Sequence, residues 1–247
     1  MTQLLVNIDH VATLRNARKE AFPVPAQIAS ICEEAGAAGI VFHLRQDRRH
    51  INDADVAALA SVVKGKLDFE LSLSPDIVDI CCRTRPALAT LVPERREEVT
   101  TEGGLDVGAN KARLLEAIPR LFDAGIREVA LFVDPIPGHV EGAAEVGANC
   151  IELHTGKYAT AGTAAARAAV LAELAAAAHL ANGIGLKVHA GHGLDAQNYP
   201  LFGKSVPHLA EVSIGFALVA RALVVGMANA VGEMIDVIRL SPFEAQR

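Results

Sequence analysis

Within several short apolar runs of this sequence, every second residue is polar, and the polar set collects toward the C-terminal end of each run. Val6 and Ile8 alternate with Asn7 and Asp9, and Ile40, Phe42 and Leu44 alternate with Val41, His43 and Arg45. Leu67, Phe69, Leu71 and Leu73 leave Asp68, Glu70 and Ser72 on the other side. Ile151 and Leu153 leave Glu152 and His154, and Leu186 and Val188 leave Lys187 and His189. Side chains alternate across a strand, so each polar set points one way. Burying that many ionisable groups is costly unless they meet one another or a ligand. Imidazoles and carboxylates gathered in this way suit proton transfer. Lys187 lies further from the end of its run and is expected to be structural.

Two places suit anions. The segment His43-Leu44-Arg45-Gln46-Asp47-Arg48-Arg49-His50 concentrates three arginines and two histidines. An Arg fork binds phosphate or carboxylate through paired donors, and a strand end holds such a side chain in place. Arg48 and Arg49 also suit a solvated basic loop with surface ion pairs. The second place combines Ala190-Gly191-His192-Gly193 with Ser213-Ile214-Gly215-Phe216. Glycines let backbone donors approach a phosphate closely, and helix N-termini favour anions.

The elements that must position these residues are repeated strand–helix units. Candidate strands cover residues 4–10, 39–45, 67–73, 87–93, 128–134, 150–156, 185–191 and 211–216, and helical patterns fall between them. Pro25 opens a helix that Gly36 closes, Ser74-Pro75 caps another, and Asn182-Gly183 stops the one that begins near Thr163. Pro119 inside a helical stretch predicts a kink or break, because it removes a donor and crowds the preceding turn. Eight strand–helix units in 247 residues predict an α/β fold, a (β/α)8 TIM barrel in a single domain over residues 1–247, since such barrels take about 250 residues. Ligands then bind at the C-terminal ends of the strands.

Composition narrows the function. The chain is 51% hydrophobic but 4% aromatic with no Trp, so an aliphatic core of buried parallel strands is expected. A net charge of -6 argues against a nucleic-acid partner. The most apolar stretch, residues 164–181, carries Arg167, Glu173 and His179, and no secretory leader pattern precedes it, so a cytoplasmic protein without a membrane partner is expected. Cys32, Cys81, Cys82 and Cys150 lack zinc-ribbon spacing and read as reduced core residues.

The run Val6-Asn7-Ile8-Asp9-His10-Val11-Ala12-Thr13-Leu14-Arg15-Asn16-Ala17-Arg18 resembles the N-terminal signature of the pyridoxine 5′-phosphate synthase family. Residues 43–50, Leu91-Val92-Pro93-Glu94 with Thr100-Thr101-Glu102-Gly103-Gly104-Leu105-Asp106-Val107, Glu152-Leu153-His154-Thr155-Gly156 and residues 190–193 resemble its later blocks. The resemblance implies a (β/α)8 barrel with added helices, assembled as an octamer. It would condense 3-amino-2-oxopropyl phosphate with 1-deoxy-D-xylulose 5-phosphate, releasing pyridoxine 5′-phosphate, inorganic phosphate and water. It implies His43 and Glu70 as proton acceptors, His192 as proton donor, and Glu152 as a carboxylate facing positive charge. Asn7, Arg18, Gly193, Gly215 and Phe216 would hold the amino-ketone phosphate, and Asp9, His10, Arg45, His50 and Thr100 the deoxyxylulose phosphate. No cofactor and no metal are implied. The chain departs from the family pattern at Phe216, where His is usual, at His189, where Asn is common, and in Ser72-Leu73-Ser74-Pro75.

Two other readings fit parts of the pattern: a sugar-phosphate isomerase or epimerase on the same fold, and a barrel that binds phosphates without catalysis. The first leaves residues 45–50 without a purpose, and the second leaves Glu70, His43 and His192 without one.

Overall fold

The computed structural model describes residues 1–94 and 103–245, so Thr100 lies outside the described residues. The first half of the fold runs β1 (Gln3–Asn7), α1 (Asp9–Arg18), α2 (Pro25–Glu34), β2 (Gly39–His43), α3 (Asp53–Val62), β3 (Lys66–Leu71), α4 (Pro75–Thr84) and β4 (Leu88–Leu91). It continues through α5 (Lys111–Asp123), β5 (Glu128–Val133), α6 (Pro137–Glu145), β6 (Cys150–His154), α7 (Gly156–Ala159) and α8 (Ala164–Gly183). The last elements are β7 (Lys187–Gly191), α9 (Tyr199–Ser205), β8 (Leu209–Ile214), α10 (Phe216–Val225) and α11 (Met227–Arg239). Each strand pairs in parallel with the next, and β8 returns to β1, which closes an eight-stranded barrel. The expected (β/α)8 fold is what the chain adopts.

Alternation divides the strand residues as the sequence pattern requires. Val6, Ile40, Phe42, Phe69, Leu131, Ile151, Leu153, Val188 and Val212 join one large core between sheet and helices. The opposite set fills the barrel interior, where Leu88, Ala130 and Cys150 form a small separate apolar cluster. Beside apolar Leu5, Val41 and Phe132, the rest of the interior carries buried polar side chains. Thr90 donates its hydroxyl proton to Asp68 at 2.8 Å, and Glu152, His189 and Glu211 occupy neighbouring places on β6, β7 and β8. Barrel interiors are usually packed with branched aliphatics, so this polar filling singles out the axis as the place of chemistry.

The strands end earlier than periodicity alone suggests. Asp9 and His10 open α1 rather than ending β1, because the Asn7 side chain accepts the Asp9 N–H at 3.0 Å and turns the chain. Arg45 likewise follows β2 in a loop, and Phe216 opens α10. Pro25 and Pro75 sit at first-turn positions, Gly36 takes φ 102°, and the Thr163 side chain accepts the Ala166 N–H, whereas Ser74 stands at the N-cap with its hydroxyl turned to Asp76 instead of to the backbone.

No break occurs at Pro119, because α5 runs through it. Leu115, whose carbonyl loses its partner, and Pro119 itself lie on the exposed side of the helix, where water replaces the lost bond. Leu114, Ala117, Ile118 and Leu121 hold the other face in the core. The α8 helix is long and apolar enough to cross a membrane by composition, yet it packs along β6 and β7 through Leu171, Leu174, Ala177, Ala178 and Ala181.

Candidate active site

A cavity of about 600 Å³ opens at the C-terminal ends of the strands. Asn7, Asp9, His10, His43, Arg45, His50, Glu70, Glu152, His192, Gly193, Gly215 and Phe216 all line it. Arg18 does not. It is the exposed last residue of α1, nine residues beyond Asp9, and a helix rises about 1.5 Å per residue, so it stands roughly 13 Å further along.

The mouth is tied together by short-range polar contacts. Asp9 Oδ1 accepts the backbone N–H of His43 at 2.9 Å and lies 3.8 Å from His50 Nδ1, so one carboxylate joins α1, β2 and the loop after it. Beneath, Arg15 forms a two-pronged ion pair with Asp55 at 2.6 and 2.8 Å and donates to the His50 carbonyl at 3.1 Å. Asn16 donates to the same carbonyl at 2.9 Å. Arg15 and Asn16 are thus the props of the His50 loop, a task that their place in the run of residues 6–18 does not disclose. Arg45 is buried beside Asp47 and Glu94, while Arg48 pairs with Asp53 and Arg49 with Asp47 at the surface.

On the opposite side, the Thr155 hydroxyl lies 2.7 Å from the Gly191 carbonyl and 2.6 Å from that of His192. It pins the loop after β7 to the end of β6. His192 takes φ 82°, rare for a residue with a side chain, and Gly193 takes the same value without strain. The loop is therefore anchored through its backbone and presents the imidazole at the cavity wall. His154 bonds Asp134 at 2.9 Å and packs 5.2 Å from the His192 ring, with Phe132 on the other flank. Phe132, Val92 and Asp195 also line the cavity. Phe132 is not among the residues that the sequence pattern singles out, although its period-two spacing from Glu128, Ala130 and Asp134 places it inward. The α10 N-terminus, from Gly215 to Ala217, faces the same space and supplies backbone donors without a side-chain cap.

Burial sets the protonation of this site. Burial pushes the Glu70 carboxyl well above the usual range, and the neighbouring Glu152, Asp9 and Asp68 add to it. Glu152 is raised to about 8 by burial and by Glu211. His43 is held well below its ordinary value by burial, with His50 and Arg45 adding to the effect, and His192 falls to about 4 through burial, His154 and His10. Burial thus favours the protonated form of Glu70 and Glu152 and the neutral form of His43 and His192. His43 Nε2 is buried without a hydrogen-bond partner, 3.9 Å from Glu94 Oε2, and is a ready proton acceptor. Groups of this kind, in a cavity with a helix N-terminus, can move protons on a bound anion.

Gly191 shows how tightly Glu152 is placed. A Cβ there would fall on Glu152 Oε1 and stand 3.3 Å from Ser213 Cβ. Gly191→Ala is expected to leave the far-ultraviolet circular dichroism unchanged and to lower the family reaction's kcat by about a hundredfold, since a misplacement of about 1 Å can cost that much. Unchanged kcat would mean that the position of Glu152 is not critical.

Comparison with known proteins agrees with this geometry. The chain is 62% identical over 234 residues to a pyridoxine 5′-phosphate synthase of Salinibacter ruber, covering 95% of this chain and 96% of that one. It is 48% identical over 239 residues to the enzyme of the same name from Magnetococcus marinus, covering 97% and 98%. Among solved structures, KGPDC from Streptococcus mutans superimposes with a TM-score of 0.67 at 12% identity, covering 98% of this chain and 99% of the other, a likeness of fold alone. Residues 4–240 match the family of the pyridoxal phosphate biosynthesis protein PdxJ, and the chain belongs to that family.

Proposed function

We propose that this chain is a pyridoxine 5′-phosphate synthase of vitamin B6 biosynthesis. It condenses 3-amino-2-oxopropyl phosphate with 1-deoxy-D-xylulose 5-phosphate by general acid–base catalysis. The observation that carries this reading is the convergence, in one cavity, of His43, Glu70, Glu152 and His192 between two edges suited to anions. One edge is the N-terminus of α10 with Gly193, Gly215 and Phe216, beside Asn7; it is assigned to the amino-ketone phosphate. The other is Arg45 and His50 with Asp9 and His10, assigned to the deoxyxylulose phosphate. Arg18, exposed at the end of α1, lies outside the lining of this cavity.

Imine formation, dehydration and ring closure each move protons. In the proposal His43, neutral and with Nε2 unpartnered, takes the first proton, and Glu70 takes another once it has lost its own. Glu152 holds its proton in the unliganded site and yields it when positive charge develops nearby. His192 begins neutral, and an arriving phosphate dianion favours its protonated form, which can then donate. Phe216 contributes its backbone N–H at the start of α10, and its ring lies 5.4 Å from that of His10.

The test is to mix the purified protein with each substrate alone and with both, in the presence of a chelator, and to measure pyridoxine 5′-phosphate. Product from both together is expected. Turnover of a single sugar phosphate would favour an isomerase or epimerase, and binding without product would favour a non-catalytic barrel. Cytoplasmic location and octameric assembly belong to the same proposal by family resemblance. Leu223 and Val224, neighbours at the end of α10 and each more than 70% exposed, support burial of that end between subunits, and light scattering of the purified protein tests it.

A further inference from the structure

The opposite end of the barrel carries a second cluster of reactive side chains. Lys66, Glu128, Lys187 and Glu211 close the floor: the Lys66 ammonium lies between Glu128 and Glu211, and Lys187 bonds Glu128. Just inside them, Cys150 faces the barrel interior with Leu88 and Ala130, and its thiol donates to Asn149 Oδ1 at 3.4 Å. His189 stands two residues further along β7 than Lys187, which pairs with Cys150, and is paired across the sheet with Glu152 and Glu211. One donor atom from each of Glu128, Cys150 and His189 lies within 4.8 Å of the other two.

Two buried atoms here lack hydrogen-bond partners among the described residues: His189 Nε2 and Glu211 Oε2. They face each other at 3.7 Å, and their side chains are 4% and 8% exposed. That separation is too long for a hydrogen bond. It is near the roughly 3.4 Å expected between two ligands each about 2.1 Å from one tetrahedral ion. Leaving two such groups unsatisfied is costly, so their orientation calls for a ligand between them.

We propose that Cys150, His189 and Glu128, with Glu211 as a fourth donor, form a buried site for zinc or a similar borderline divalent cation at the floor of the barrel. A thiolate, an imidazole and carboxylates are a zinc donor set. The Cys150 S–H bond breaks as the metal–sulfur bond forms, the proton passes to water, and no electrons are transferred. Lys66, Lys187, Glu128 and Glu211 balance in charge, so the cation and the new thiolate add one positive charge to the floor. The Lys187 side chain is 57% exposed, so the floor meets solvent on the side away from the substrate cavity. The site joins β5 through β8 and would act as a cross-link. It does not depend on the catalytic assignment.

The cavity also contains a cluster of this size, Asp9, His43 and His50, so the experiment must separate the two. The full-length protein is stripped with a chelator and titrated with Co²⁺, then with Zn²⁺, and thermal unfolding is followed. One equivalent of Co²⁺ should give a thiolate-to-metal charge-transfer absorption that Zn²⁺ abolishes, and Zn²⁺ should raise the unfolding temperature. Cys150→Ser and the nearly isosteric His189→Asn should each remove the absorption and the stabilisation, while His50→Asn should leave both unchanged. If no absorption appears, or if it survives in a folded His189→Asn protein, the floor site does not exist. Binding lost with His50→Asn and kept with Cys150→Ser would place the ion in the cavity and overturn the proposal equally.

Discussion

Glu70→Gln is expected to lower turnover by at least about a hundredfold, because a positioned acid–base group contributes about 10²- to 10⁴-fold. The substitution keeps the shape of the side chain and removes its ability to take a proton. The protein should also be no less stable. Burial and the neighbouring Glu152 raise the Glu70 carboxyl well above its ordinary value of 4.5. The native state therefore binds a proton that the unfolded chain releases. By linkage, that group costs stability as pH rises from its unfolded value toward its folded one, and Gln removes the cost. Denaturant unfolding near neutral pH should show an equal or higher midpoint. The kcat/KM of the wild-type enzyme should rise with pH through a step that belongs to the Glu70–Glu152 pair, since coupled groups titrate together. A near-normal rate for Glu70→Gln, or a flat pH profile in the wild type, would remove Glu70 from the mechanism.

The largest effect on stability is expected from Asp55→Ala. Asp55 receives both prongs of the Arg15 guanidinium, and its Oδ2 also accepts the Asn52 N–H at 3.0 Å, completing the cap of α3. Both side chains are about one-tenth exposed. Removing one partner leaves a buried charge without compensation, which costs about 3–5 kcal/mol. At about 2–4 °C per kcal/mol for a chain of this size, the unfolding temperature should fall by roughly 10 °C. The double variant Asp55→Ala with Arg15→Met should recover part of the loss, because the orphaned charge goes with it. Arg15 also holds the His50 carbonyl, so Asp55→Ala should raise KM for the deoxyxylulose phosphate more than it changes kcat. A drop of less than about 1 kcal/mol would show that the pair behaves like an exposed one.

The repeated units, the barrel and its polar axis were legible in the residues because period-two alternation is a local property. Phe42 and Phe69 must face the helices if His43 and Glu70 are to face the axis. The chain order of strands and helices then leaves few topologies, since parallel crossovers are right-handed and neighbours in sequence pair in space. The cavity residues followed from the same logic, as Asn7, His43 and Glu70 lie at or next to the C-terminal end of a strand, His192 lies in the loop beyond β7, and Glu152 takes an inward place midway along β6.

What periodicity could not supply was the place where a strand stops and what each charge meets. The bond from the Asp9 amide to Asn7 turns Asp9 and His10 into the start of a helix, and no pattern of apolar residues records such a turn. Pro119 depends on which side of α5 meets water, a tertiary matter. Arg15 and Arg18 are three residues apart in one helix, yet one is buried against Asp55, forty residues later in the chain, and the other is exposed. Cys150 and His189 read as separate, unremarkable residues until closure of the barrel brings β5, β6, β7 and β8 together at one floor. Composition and spacing determined which groups point inward. Only the folded chain decided their partners, because the energy of a buried charge depends on neighbours that sequence distance does not reveal.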